Sequence, residues 1–183
     1  MTTNIDLTNR ALAQIGSRSQ IASMTDGSTE ALYANLLYDG LRDFMLRQGD
    51  FDWSMQEIGA HLADASEAPQ NVIPWVYTYD YPASCIKVRQ LIPETFNVFD
   101  PKSLVWNILS NGTKRFIVTL DQISVILYTV APPEDLWDSL FTESFVRLLG
   151  SSLHFALQNR VEASKEKLQE ALEFAALANI REP

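Results

Sequence analysis

The sequence predicts an α+β fold: a four-helix body built from both ends of the chain, with an inserted antiparallel β module. Apolar residues recur at helical spacing in residues 6–48 and again in residues 134–179. Between them, Trp75, Tyr77, Tyr79 and Tyr81 alternate with other residues, which is typical of a strand. We therefore expect the helical body at 1–55 and 133–183, an extended arm at 56–71 and the β module at 72–132.

Composition and net charge already exclude several classes of protein. The chain has 183 residues, 46% of them hydrophobic and 20% charged, as in an ordinary globular domain. Its formal net charge of -9 argues against tight binding of nucleic acid through phosphates. The single cysteine, Cys85, excludes an internal disulfide framework. Neither a signal peptide nor an apolar run of about 20 residues is visible, so we expect cytoplasmic synthesis and no membrane partner.

The N-terminal part predicts two helices. The first is expected from about Asp6 to Ile15, followed by Gly16 as a C-terminal cap. The second is expected from Ser28 or Thr29 to about Gln48. Its predicted core face consists of Leu32, Leu36, Leu37, Leu41, Phe44 and Met45.

The middle of the chain predicts the β module. Beyond the aromatic strand, strand patterns occur at 86–91, 104–109, 115–119 and 123–130. Asn111-Gly112 lies between the strands at 104–109 and 115–119 and predicts a type I′ hairpin turn. The module is expected to end at Pro132-Pro133, where the helical pattern resumes.

Two more helices are expected at the C-terminal end. The third begins after Pro132-Pro133 with the acidic residues Glu134, Asp135 and Asp138, which favour a helix N-terminus. Its apolar face includes Phe141 and Phe145, and Gly150 offers room for a closely packed neighbour. The fourth is expected at 161–179.

No residue pattern of known catalytic chemistry stands out. The two histidines, His61 and His154, lie far apart in sequence, and no Gly-x-Ser-x-Gly surrounds a serine. Metal-ligand spacings and a glycine-rich phosphate loop are also not found, so we expect neither enzyme activity nor a cofactor or metal. One alternative is a small hydrolase that uses Glu134, Asp135 and Asp138, although stabilisation of a helix N-terminus already explains these carboxylates.

The aromatic stripe has two interpretations that sequence leaves open. Its residues either form the core face of the β module or offer an interface, where Tyr and Trp are enriched. The arm and the chain end could contact neighbours in the same way. The candidate partner contacts are Trp75, Tyr77, Tyr79, Tyr81, Glu57, His61, Glu67, Arg181 and Glu182.

Several segments in this order carry a family resemblance. They are 9–16 (NRALAQIG), 21–28 (IASMTDGS), 36–47 (LLYDGLRDFMLR), 51–54 (FDWS), 75–89 (WVYTYDYPASCIKVR) and the run from Leu136 through Phe141 onward. Together they span nearly the whole chain. In order and spacing the chain resembles the head-to-tail adaptors of tailed phages, of the tail tubular protein A or head-completion type.

The resemblance implies a structural protein of the virion. It implies a ring of twelve copies of this chain between the portal protein and the tail or nozzle protein, with viral DNA passing through the lumen. Another neck or tail-completion protein at a different level of the tail is the alternative within this class. Some members carry a long C-terminal tail that docks into the portal, whereas this sequence stops soon after the expected fourth helix. The resemblance therefore leaves open which part would contact the portal.

Overall fold

The computed structural model describes residues 2–69, 73–95 and 104–158, together with Gln169 and Glu173. The chain divides into two compact units. One comprises Met1–Ser54 and Ala131–Pro183, and we call it the helical unit. The other comprises Met55–Val130, and we call it the β unit.

Three α-helices form the described part of the helical unit: α1 (Asn4–Gln14), α2 (Thr29–Gln48) and α3 (Ser139–Gln158). Short 3₁₀ turns cover Asp52–Ser54 and Glu134–Leu136. Local side chains begin the helices. Thr3 and Asp6 form a reciprocal capping box at α1. The Ser28 hydroxyl accepts from the backbone N–H of Ala31 at the start of α2.

The core of the helical unit forms around α3, which packs against both α1 and α2. Gly150 brings α3 close to α1, because a Cβ there would lie 3.3 Å from the Ala11 carbonyl oxygen. Aromatic side chains fill the rest of this core. They are Tyr38, Phe51, Trp53, Trp137, Phe141 and Phe145, whose neighbouring ring centroids are 4.9–5.5 Å apart.

The prediction of a four-helix body is wrong. The fold is α+β, with three helices and six antiparallel strands in two sheets across the described residues. The expected fourth helix at 161–179 lies outside the described residues, apart from the helical positions Gln169 and Glu173. The physical reason is that Phe51, Trp53 and Trp137, from segments beside the helices, cover the Phe141 side chain. Aromatic rings from these segments thus form part of the core among the described helices.

The predicted core face of α2 is wrong at three of its six residues: Leu32, Leu36 and Phe44 are exposed, whereas Met45 is buried and Leu37 and Leu41 are half-buried. Its buried residues are Ala31, Ala34, Tyr38, Met45 and Leu46, and only Met45 belongs to the predicted stripe. Ala31, Ala34 and Tyr38 are three and four residues apart, so they share one helix face. Two of these three residues are alanines, whose small side chains give a weak hydrophobic signal in the sequence. The size of its apolar side chains alone therefore does not predict which face of α2 is buried.

The β unit contains two three-stranded antiparallel sheets. One has the order β1-β6-β3 and the other the order β2-β5-β4. Buried residues of both sheets form one core, including Tyr79 and Ile117 from one and Val88 and Ile126 from the other. The strands are β1 (Met55–Gly59), β2 (Tyr77–Asp80), β3 (Lys87–Pro93), β4 (Trp106–Ser110), β5 (Arg115–Thr119) and β6 (Ile123–Thr129).

The segment for which we expected an extended arm, residues 56–71, contains most of strand β1. This strand pairs with β6 from Met55 to Gly59. Immediately after it, the Ala63 N–H donates to the Thr78 carbonyl and the Asp80 N–H donates to the His61 carbonyl. The segment therefore runs from the edge of one sheet to the edge of the other, which makes it part of the β unit's framework.

The hairpin predicted at Asn111-Gly112 has a longer loop than expected. Ser110 pairs with Arg115, so four residues form the connection. Gly112 has φ of +93°, a conformation that favours glycine. The Asn111 side-chain oxygen accepts from the backbone N–H groups of Thr113 and Lys114, both at 2.8 Å. Asn111 thus closes the loop through its side chain, whereas we had expected a type I′ turn.

The two helical glycines that differ in surroundings give a stability prediction. Gly40→Ala is expected to raise the free energy of unfolding by about 0.5–1 kcal/mol, because nothing lies within 4 Å of its Cβ position. Gly150→Leu is expected to lower it by about 1–3 kcal/mol, because the side chain would meet the α1 backbone. Urea denaturation followed by circular dichroism measures both. Equal effects of the two changes would contradict the packing described for α1 and α3.

Candidate interface surfaces

The aromatic stripe lies mainly against the core of the β unit. Tyr79 is 2% exposed, and its hydroxyl accepts the Ile123 backbone N–H at 3.0 Å. Burial raises the pKa of this hydroxyl above its usual value. Tyr77 and Tyr81 are half-buried and pack against the same core. Of the stripe residues, Tyr79 therefore has the least surface left for a partner.

The other candidate contacts lie in several places. Glu57 and His61 are exposed on β1 and just after it, and Trp75 is half-buried before β2. Glu67 is exposed and forms an ion pair with Lys114 at 2.6 Å. Arg181 and Glu182 lie outside the described residues. Among the candidates that the structure describes, no large group is brought together.

A cleft of about 430 Å³ lies in the β unit near two of these candidates. Its lining includes Tyr81, Asp80, Glu67, Lys114 and Arg115. The Arg115 guanidinium lies 4.1 Å from the centroid of the Tyr81 ring, a cation–π contact. Lys114 is paired with Glu67, so both signs of charge line the cleft. These contacts fit a polar surface supporting the hairpin rather than a site selective for anions.

The carboxylates of the hydrolase alternative have structural partners. Asp138 accepts from the backbone N–H groups of Leu140 and Phe141, at 2.8 and 3.3 Å, and so caps α3. Glu134 accepts a hydrogen bond from the Tyr38 hydroxyl at 3.2 Å. Asp135 is exposed. Helix capping accounts for Asp138, and the hydrogen bond with the buried Tyr38 accounts for Glu134.

Helix α2 carries an exposed apolar ridge. Leu32, Leu36 and Phe44 are 65%, 73% and 46% exposed. They lie four or eight residues apart, and Gly40 completes the same row with open space at its Cβ position. We call these four residues the α2 ridge. Leu32, Leu36 and Phe44 belong to the apolar stripe of the sequence, which predicts that they face the core.

The β unit has a second kind of exposed surface, at the edges of its sheets. The outer edge of β2 is partly covered by residues 61–63. Strand β3 carries Lys87, Arg89 and Pro93 and has two register shifts, all features that discourage edge pairing. Strands β1 and β4 pair on one side only within the described part of the chain. Neither contains proline, and β4 contains no charged residue.

Comparisons with known proteins do not assign a family. No protein-family model matches the chain, and no curated protein matches it. Across the ranges that the structure describes, no helix is long and apolar enough to cross a membrane. Within the same ranges, no group of three or more His, Cys, Asp or Glu side chains is placed to hold a metal ion.

Proposed function

We propose that this chain is a structural subunit of a tailed-phage virion, a head-to-tail adaptor that assembles as a ring between the portal and the tail. The α2 ridge carries the proposal. A row of large apolar side chains on an otherwise polar helix surface is characteristic of a surface that becomes buried in an assembly. The resemblance of the chain's segments to phage adaptors supplies the kind of assembly.

The occupant proposed for the ridge is a second copy of this chain. In a ring each subunit uses one surface to contact a different surface of the next subunit, so the contacts are heterologous. A stable protein interface buries about 1,600 Å² in total. The ridge would be the apolar centre of such an interface, and the polar residues beside it would form the rim.

Charge supports the proposed channel. With 23 acidic and 14 basic side chains, the subunit carries a formal net charge of -9. A channel wall of like charge repels the phosphate backbone and does not hold it. DNA would therefore pass through the ring without sequence-specific binding. The portal protein on one side and the tail protein on the other are the proposed partners, and the head-tail interface of the virion is the proposed location.

Association with the portal tests this function. The purified chain is mixed with the portal protein of the same virus and sedimented through a density gradient at several salt concentrations. We expect co-sedimentation as a complex that contains several copies of the chain. If the chain stays separate from the portal at every salt concentration, the adaptor function is wrong. Binding to an isolated tail protein without portal binding would favour a neck or tail-completion protein at another level.

A further inference from the structure

We propose that neighbouring copies of this chain also join through their sheets, with the free edge of β1 in one copy pairing with the free edge of β4 in the next. This inference rests on the proposed ring and names one of its contact surfaces. It follows from the hydrogen-bond directions of the two strands, from the charges at the sheet edges and from exposed apolar side chains on both strands.

The free edge of β4 is uncharged and uninterrupted. The Asn111 N–H donates to the Lys114 carbonyl, and the Leu120 N–H donates to the Val105 carbonyl. Hydrogen-bonding direction alternates along a strand, so the backbone N–H and C=O groups of the odd-numbered residues of this segment point toward β5. The backbone N–H and C=O groups of the even-numbered residues Trp106, Ile108 and Ser110 point away from β5.

One outward group of β4 already has a local substitute for a neighbouring strand. The Ile108 N–H donates to the side-chain oxygen of the adjacent residue, Asn107, at 2.8 Å. This contact satisfies the donor in a free subunit, and a side-chain rotation of Asn107 would release it. The edge is therefore available for pairing without any loss of the β4–β5 ladder.

The free edge of β1 has a matching arrangement. The Ala60 N–H donates to the Ser124 carbonyl, so the backbone N–H and C=O groups of even-numbered residues point toward β6. The backbone groups of the odd-numbered residues consequently point away from β6; these residues are Met55, Glu57 and Gly59. All five residues of β1 are exposed. Each of the two strands thus offers three outward residues at alternate positions over a length of five residues.

Antiparallel pairing of β1 with β4 of the next copy satisfies all of these outward backbone N–H and C=O groups in one register. Glu57 lies opposite Ile108 of the next copy, Met55 opposite Ser110 and Gly59 opposite Trp106. In this register the exposed side chain of Met55 is a diagonal neighbour of Ile108 of the next copy on one face of the joined sheets. On the other face, the exposed side chain of Ile58 is a diagonal neighbour of Val105 of the next copy. Diagonal neighbours across an antiparallel pair are within reach of long side chains.

Other pairings fit the observations less well. Two β1 strands in antiparallel register would place Glu57 opposite Glu57 of the other copy, and opposed like charges are destabilising. Strand β3 carries charges, proline and register shifts along its edge. Two β4 strands could pair, but that contact is isologous and closes at two copies, whereas a ring needs a contact between different surfaces.

Cross-linking of engineered cysteines tests the joint. The variant Glu57→Cys with Ile108→Cys is assembled with the portal protein and treated with a short bis-maleimide. We expect a ladder of covalent oligomers that extends beyond dimers, because each copy links to two neighbours. Wild-type protein is the control, since its one cysteine, Cys85, is buried. The single variant Ile108→Cys should stay monomeric on the gel.

Two edge variants test the same joint without cross-linking. Ile108→Pro removes an N–H that points away from β5, so the β4–β5 ladder is kept. Ile108→Lys keeps the N–H and adds the charge with which natural edges resist pairing. We expect either change to lower the yield of rings at least tenfold while circular dichroism stays that of the wild type. The second variant decides the outcome if the first does not fold.

The possible results separate the joint from the proposed function. Rings of wild-type protein, without a ladder from the double variant and with normal assembly of Ile108→Lys, would overturn the joint and leave the adaptor function intact. A dimer from Ile108→Cys alone would show that β4 pairs with β4 and would also overturn it. If wild-type protein forms no ring with the portal, both the joint and the adaptor function are wrong.

Discussion

Phe141→Ala is expected to lower the free energy of unfolding of the helical unit by about 3–5 kcal/mol, the range typical of a buried Phe truncated to Ala. Phe141 is fully buried, and its ring makes edge contacts with Phe51, Trp53 and Trp137. Truncation would remove contacts from all three rings and leave a cavity that rigid aromatic neighbours cannot easily fill. Urea denaturation monitored by circular dichroism at 222 nm measures the loss.

The neighbouring residue provides a matched control for this prediction. Leu140 lies on the same turn of α3 but is exposed. Leu140→Ala is expected to change the free energy of unfolding by no more than about 0.5 kcal/mol. A loss below about 1 kcal/mol for Phe141→Ala would contradict the aromatic core described for the helical unit.

Leu36→Glu is expected to abolish assembly of the proposed ring without unfolding the subunit. Leu36 is 73% exposed, so the subunit accommodates a carboxylate there in water. Burial of an unpaired carboxylate in an interface costs several kcal/mol, and about 3 kcal/mol already weakens each contact roughly 100-fold. Since every copy in a ring carries the change, the losses accumulate. Analytical ultracentrifugation and circular dichroism together measure assembly and folding.

A charge change at another exposed leucine controls for the change in net charge. Leu140→Glu adds the same charge on α3, near the helix N-terminus, where an acidic residue is favoured. We expect this variant to assemble like the wild type. Normal assembly of Leu36→Glu, or equal loss in both variants, would show that the α2 ridge is not the contact between copies.

Local sequence signals predicted most elements of the fold but not how the elements pack. Strand β5 (Arg115–Thr119) has the bounds that its pattern predicts, and α2 ends at the predicted Gln48. Turns and capping residues act over a few positions, so sequence shows them directly. Which face of α2 is buried depends on the shape of α3, a partner more than 90 residues away in the chain. Periodicity alone could not choose between two apolar faces of one helix.

The candidate surfaces show the same division. The aromatic stripe is easy to recognise, yet Tyr79 serves the core of the β unit and accepts a buried backbone N–H. The α2 ridge contains Leu32, Leu36 and Phe44, which the apolar stripe of the sequence predicts to face the core. Strand β1 has a weak pattern because all five of its residues are exposed, so no alternation of apolar and polar residues marks it. The pairing that defines it comes from β6, far along the chain.

Electron microscopy of the chain bound to the portal protein tests the central claim most directly. Class averages viewed along the axis are expected to show a closed ring of this chain that shares the portal's axis, with twelve copies as the resemblance to phage adaptors implies. At higher resolution the α2 ridge of each copy should contact the next copy. A single copy bound at the side of the portal, or a ring in which every α2 ridge faces solvent, would contradict the account.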